Sequence, residues 1–226
     1  VTATATSGAV GERTLSYSTS TFESSKERVS YAIGVRYGQG LKRQVGELDL
    51  EMFLQGLKGG HEGEKLLLED KQIVQLITRF KQKRISKMNA ENDAKAKENR
   101  VAGNHYLENN QSKDGVVTMV SGLQYKVLKK GTGSVPTLTD TVRVHYHGTL
   151  IDGVVFDSSV NRGESITFRV DGVIEGWTEA LQLMKPGAKW QLYIPSELAY
   201  GETGTSGSIG PNSALIFEVE LIAIES

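Results

Sequence analysis

The sequence predicts an α+β protein in three parts: an all-α N-terminal domain, a long connecting helix, and a C-terminal antiparallel β-sheet wrapped on one short helix. Three observations carry this. Residues 69–110 contain no proline and a single glycine, Gly103, among many Lys, Glu, Gln, Ala and Asn, a composition that sustains a helix. Upstream, apolar residues recur at helical spacing, and from residue 114 the period shortens to two. One stretch interrupts that alternation: DGVIEGWTEALQLM, residues 171–184, where Trp177, Ala180, Leu181 and Met184 fall on one helical face.

Taken in order, residues 1–21 are small and polar with no sustained apolar period and read as a flexible tail. Helical spacing begins at Phe22. Val29, Ile33, Tyr37 and Leu41 mark a first helix. Asp49 is placed to cap a second, DLEMFLQGLKGG, which carries Met52, Phe53 and Leu57 on one side and is expected to stop at Gly59-Gly60. Neither helix can bury its face alone, so residues 22–68 are expected to form a helical domain that dimerises, a second copy supplying the missing cover.

The connecting helix, residues 69–113, spans roughly 60 Å for about 40 residues. Its first half carries an apolar stripe of Ile73, Ile77, Phe80 and Met88. Its second half, NAENDAKAKENRVAGNHYLENN, is nearly all polar and suits a solvent-bridging spacer between domains. Beyond it, residues 114–226 alternate in five stretches: VVTMVSGLQYKVLKKG, DTVRVHYHGTLIDGVVFDSS, SITFRVDGVI, AKWQLYIP and SALIFEVELIAIES. Glycines sit at the turns, and only the 171–184 helix is expected among the strands.

Composition removes several functions. The chain has 226 residues with 26 basic and 27 acidic side chains, a balance that argues against a dedicated nucleic-acid surface. It has no cysteine, which excludes disulfides, thiol catalysis and cysteine-based metal sites. No apolar run approaches the roughly 20 residues that span a bilayer.

The candidates for chemistry each have a plain alternative. His145 and His147 project from one strand face, but no third ligand accompanies them, so polar strand residues are the better reading and no metal is expected. YGETGTSGSIG, residues 200–210, is glycine-rich but runs through Pro211 into a strand. It lacks the following helix of a phosphate loop and reads as a long surface loop, a common place for function. Asp157, at the end of an apolar strand, reads on its own as a turn or cap residue. The aromatic set is the strongest signal: Tyr146, Phe156, Phe168, Trp177, Tyr200 and Phe217 lie in or beside the strands. Any one of them is ordinary core. Together, around one short helix, they imply an apolar concave surface of the kind that takes ligands.

Here the sequence resembles a known family. VRVHYHGTLIDGVVFDSS, VIEGWTEALQLMKPGAKWQLYIPSELAYG and IGPNSALIFEVEL are similar, in order and spacing, to the FKBP-type peptidyl-prolyl cis-trans isomerase domain. ERVSYAIGVRYGQGLKRQ, the long charged helix and SGLQYKVLKKGTG resemble its macrophage infectivity potentiator (Mip) branch, in which a helical domain dimerises and a long helix carries the isomerase domain outward.

The resemblance implies Tyr146, Asp157 and Tyr200 as catalytic residues. It implies Phe156, Phe168, Val173, Ile174, Trp177, Ile209 and Phe217 as the substrate-binding walls, with Trp177 at the bottom. By the same resemblance Tyr200 and the backbone of Ile174 hold the peptide, and Asp157 sets local polarity and orients Tyr146. Gly210-Pro211 stands where many members have two prolines, and Ser208 replaces an apolar residue of some relatives. Both bear on macrolide affinity rather than on basic activity.

The expected function is therefore isomerisation of X-Pro bonds in protein folding, by a homodimer acting on proline-containing peptides and unfolded proteins. Macrolides such as rapamycin or tacrolimus are the implied inhibitors. No cofactor and no nucleic acid are expected. The implied location is periplasmic or outer-membrane associated, with no signal peptide read in these residues. Two other classes stay open at this point: a dimeric holdase chaperone with incidental isomerase activity, and a peptide-binding adaptor without turnover, against which the complete aromatic set argues.

Overall fold

A computed structural model of the chain describes residues 22–225; the tail expected over 1–21 lies outside them. Packing divides the chain into two compact units, one ending at Ile73 and one starting at Val74.

The first unit holds α1 (Ser25–Gln44), α2 (Leu50–Glu62) and the start of α3 (Asp70–Asn110). Both N-termini are capped by side-chain oxygens: Ser24 accepts from the Glu27 N–H at 3.2 Å and Asp49 from the Met52 N–H at 3.0 Å. At the start of α3 the Gln72 side chain accepts from the Glu69 N–H at 2.9 Å, the returning half of a capping box. The stop of α2 departs from expectation. The helix runs through Gly59-Gly60 and ends where Gly63 turns left-handed, at φ 69°. Gly59 is instead a packing residue, buried where an added Cβ would come 3.3 Å from Leu66 Cδ2. Most large apolar side chains of these helices stay in water, Val29 at 55% and Leu57 at 58% exposure.

The second unit is built on a seven-stranded antiparallel sheet. Its strands are β1 (Val116–Thr118), β2 (Gln124–Lys129), β3 (Thr141–Leu150), β4 (Val155–Ser158), β5 (Ile166–Arg169), β6 (Lys189–Ile194) and β7 (Leu215–Glu225). They lie in the order β1-β2-β6-β7-β3-β4, with β5 also paired to β3. β3 is long enough to hold two short partners end to end: β5 along 141–144 and β4 along 147–149. The chain between these two partners forms α4 (Ser159–Arg162). This single turn, with the 3₁₀ turns Val170–Gly172 and Ser196–Leu198, corrects the expectation of one helix among the strands. Four residues are too few to show a helical period, and only their cap and stop betray them.

The period-two pattern decides which sheet face is covered. Val142, Val144 and Tyr146 of β3 and Leu215, Phe217, Val219 and Leu221 of β7 are buried on it. The face of α5 (Glu175–Leu181) read from the sequence packs there, and Trp177, Ala180, Leu181 and Met184 are all buried. Gly176 permits the approach, since a Cβ there would meet Ile194 Cγ2 at 2.6 Å.

The second half of α3 is polar, as read, but not solvated throughout. Its last turns lie on the sheet unit. The Tyr106 ring is 6.2 Å from that of Tyr193. Buried Asn110 donates to Gln124 Oε1 at 2.9 Å, and Gln124 Nε2 donates to the Leu107 carbonyl at 3.0 Å. Gly103 lies against Ala214, where a Cβ would come within 3.1 Å of that residue's methyl. Because the docking face itself is built of polar residues and glycine, it resembles a solvated one in the sequence.

Candidate active site

Where β4 gives way to β5 along β3, the sheet opens over the N-terminal end of α5 into a cavity of about 960 Å³. Tyr146 of β3, Phe156 and Asp157 of β4, Phe168 of β5, Trp177 of α5 and Phe217 of β7 line it. Val173 and Ile174 enter from the turn before α5, and Tyr200 and Ile209 from the loop 199–214. All ten residues named from the resemblance thus border one cavity.

Trp177 is 4% exposed and lies at the junction of three rings. Tyr146 is 5.3 Å away at 83°, Phe217 5.2 Å at 80° and Phe168 6.1 Å at 86°. Phe156 meets Phe217 edge-on at 5.4 Å and 84°. Such edge-to-face arrangements place ring edges on ring faces and add about 0.5–1.5 kcal/mol per pair beyond area burial. Gly148 is what lets two of these rings close: a Cβ there would stand 2.7 Å from Phe156 and 2.8 Å from Phe217. The Trp177 indole N–H is buried and has no hydrogen-bond partner among the described residues.

A hydrogen-bonded polar cluster lies in the largely apolar lining. The Tyr146 hydroxyl donates to Asp157 Oδ2 at 2.5 Å. Arg162 pairs with Asp157 and donates to the Tyr146 oxygen at 3.0 Å. Burial pushes the Asp157 carboxyl up, but hydrogen bonds from Tyr146 and Arg162 and the guanidinium charge outweigh it and hold it below the usual carboxylate range. Burial, then the bond to Asp157, pushes the Tyr146 phenol up. The capping role that Asp157 offered on its own belongs to its neighbour: Ser158 accepts from the Asn161 N–H at 3.1 Å and starts α4.

The two strand histidines meet the same turn. His147 Nδ1 is 2.9 Å from Ser158 Oγ and His145 Nδ1 is 3.1 Å from Ser159 Oγ. Ser159 also accepts from the Tyr146 N–H at 2.8 Å. Both histidines therefore help to seat α4 beside β3, a structural role in keeping with their reading as polar strand residues.

Arg162 is the residue that sequence reasoning missed, with Ile166, Gly172, Thr205 and Gly207 as further lining. Its signal was present: Ser158 as cap and Gly163, at φ 74°, as stop enclose one helical turn. That turn returns a cation at position 162 to the acid at 157.

Residues 133–222 match the FKBP-type peptidyl-prolyl cis-trans isomerase family, and residues 26–127 match the domain amino terminal to such isomerases. The outer membrane protein MIP of Legionella longbeachae is 43% identical over 200 residues, covering 88% of this chain and 86% of that protein. The peptidyl-prolyl cis-trans isomerase Mip of Coxiella burnetii is 40% identical over 212 residues, covering 94% and 92%. The crystal structure of FkpA from Escherichia coli superposes with a TM-score of 0.69 at 38% identity, covering 91% of this chain and 99% of that one. With both family regions matched in order and relatives similar over nearly their whole length, the chain belongs to the FKBP-type peptidyl-prolyl cis-trans isomerases, in the Mip-like branch that carries an amino-terminal helical domain.

Proposed function

We propose that the cavity floored by Trp177 is where an X-Pro bond of an unfolded or partly folded protein is rotated. The barrier to rotation, about 18–20 kcal/mol, comes from amide resonance, and the uncatalysed step takes about 10–100 s. Catalysis requires only that the twisted amide be bound better than the planar one. The ring cage takes up the proline and removes water, which otherwise favours the more polar planar amide. Asp157, held ionised by Arg162 and Tyr146, sets the field beside the twisting carbonyl. Tyr200, 40% exposed at the rim, and the backbone of Ile174 hold the flanking peptide. Phe156, Phe168, Val173, Ile209 and Phe217 form the walls, and rapamycin-like macrolides compete for the same space.

The observation that carries this reading is one carboxylate, hydrogen-bonded to Tyr146 and paired with Arg162, at the edge of a cavity lined mostly by aromatic and aliphatic side chains. A protease-coupled assay on a short X-Pro peptide tests it. Turnover inhibited by rapamycin is expected, and a folded chain without turnover overturns the assignment.

The organisation proposed around this site is a pairing domain at 22–68, an arm at 69–113 and the isomerase domain at 114–226. The exposed apolar side chains of α1 and α2 support pairing of two chains. The name of the Legionella relative, an outer membrane protein, supports a periplasmic or outer-membrane-associated location.

A further inference from the structure

The wall of the cavity facing β4 comes from the loop 199–214, which contributes Tyr200, Thr205, Gly207, Ser208 and Ile209. The loop is closed on itself: the Thr205 N–H donates to the Ile209 carbonyl at 2.9 Å, and the Asn212 N–H to the Gly201 carbonyl at 2.8 Å. The loop is tied to the sheet unit by the Gly201 N–H, which donates to the Ser196 carbonyl at 2.9 Å, and by buried Ile209. Its base is bonded to α3 as well. Asn99 Nδ2 donates to the Pro211 carbonyl at 2.8 Å, and Gly210 leaves room for it, since a Cβ there would stand 3.0 Å from the same nitrogen. Arg100 donates to Glu202 at 3.0 Å and to Asn212 Oδ1 at 3.3 Å.

Asn212 is the knot of this contact. It is 6% exposed and is the only non-glycine residue with positive φ, 53°, among the described residues. Its side chain reaches both the Arg100 guanidinium and, at 3.4 Å, the Ala96 carbonyl of α3. Asn tolerates the left-handed region, and here that turn aims its amide at the helix.

We propose that Asn99, Arg100 and Asn212 are positioning residues for the pocket: through them α3 holds the loop wall, so the seating of the helix sets how tightly the cavity takes a peptide. The helix is then part of the frame of the site as well as a connector. By reciprocity, a peptide pressing on the loop tip strengthens the seating of the helix.

The test uses the full chain with Asn99→Ala, Asn99→Asp and Asn212→Gly, and Lys95→Ala as control, because Lys95 pairs with exposed Glu98 on the same helix and, among the described residues, with no group of the loop. Two readouts are taken: amide exchange in the loop, with the Thr205 N–H as reporter, and KM against kcat on a short X-Pro peptide. Only the second rests on the proposed isomerase function. Loss of one such hydrogen bond should speed loop exchange and raise KM by about three- to tenfold, with kcat and exchange in β3, β6 and β7 unchanged. Asn99→Asp, which has nearly the same shape but sets an oxygen against the Pro211 carbonyl, should be worse than Asn99→Ala. Asn212→Gly keeps the left-handed turn without the anchor and decides the matter if the helix variants unfold.

Wild-type exchange at Thr205 in Asn212→Gly overturns the proposal, as does faster exchange with unchanged KM. A wild-type chain that turns over no X-Pro peptide sinks the proposed function instead, and loop exchange still decides whether the helix holds the wall.

Discussion

The Tyr146 hydroxyl and Asp157 Oδ2 are 2.5 Å apart, although the two residues come from neighbouring strands, and Arg162 bonds to both from outside the pair. The bond ties the polarity of the cavity to the position of one of its rings. Replacing Asp157 by Leu should lower kcat/KM while leaving the sheet unit folded, because the capping of α4 is done by Ser158. Ser158→Ala should do the reverse and cost about 0.5–2 kcal/mol of stability. Denaturant melts run beside peptide assays distinguish the two. Full turnover in the folded Asp157→Leu protein removes the residue from the mechanism.

The same pair sets a pH window. A carboxyl whose folded pKa is depressed contributes stability that is complete above its unfolded value of about 3.9 and is lost as pH falls through the lower folded value. A phenol whose pKa is raised keeps its donated proton past about 10. The Tyr146–Asp157 bond should therefore persist from pH about 4 to about 10. Carbon NMR of the Asp157 carboxyl should give a midpoint below the ordinary carboxylate value, and Arg162→Ala should move it upward. A midpoint at or above the ordinary value in the wild type contradicts the electrostatics described for the site.

Trp177 is both core and cavity floor. Truncation of a buried aromatic costs about 3–5 kcal/mol when cut to Ala, so Trp177→Leu, which refills part of the volume, should cost less and leave the sheet unit folded. It should weaken binding of rapamycin and abolish the fluorescence response to it, leaving only the signal of Trp190. Unchanged affinity in a folded Trp177→Leu protein would show that the cavity floor lies elsewhere.

Gly148 gives a purely steric test. A methyl there must displace Phe156 and Phe217, and overpacking of this kind costs about 1–3 kcal/mol. Gly148→Ala should lower both the melting temperature and macrolide affinity. A variant that melts and binds like the wild type shows that the rings have slack that the structure does not suggest.

The apolar faces of α1 and α2 predict assembly. The full chain should scatter light as a dimer, and Ile33→Glu with Leu57→Glu should render it monomeric. The monomer should isomerise short peptides at nearly the wild-type rate yet accelerate proline-limited refolding of a whole protein poorly, because two linked sites raise the effective concentration of a large client. A monomeric wild type overturns the pairing and leaves those faces free to hold unfolded chains.

Helices α1, α2, α3 and α5 and the switch to strands were legible in the sequence because local spacing decides them, whereas α4 is too short to show a period. The cap at Asp49 and the long alternation of β3 and β7 needed nothing distant. The aromatic residues stood out in the strands and a family resemblance gave them roles, but which rings meet could not be read from spacing. That Asp157 bonds Tyr146 rather than capping a turn depends on β4 pairing beside β3, and Arg162 joins them only because one capped turn bends the chain back. The docking of α3 was equally hidden. A polar residue in water and a polar residue bonded to a loop more than a hundred positions away have the same local pattern, as Asn99 and Pro211 do. Secondary structure here followed from neighbours along the chain, whereas the cavity and the helix that braces it exist only where strands distant in sequence are brought together by burial of a shared apolar face.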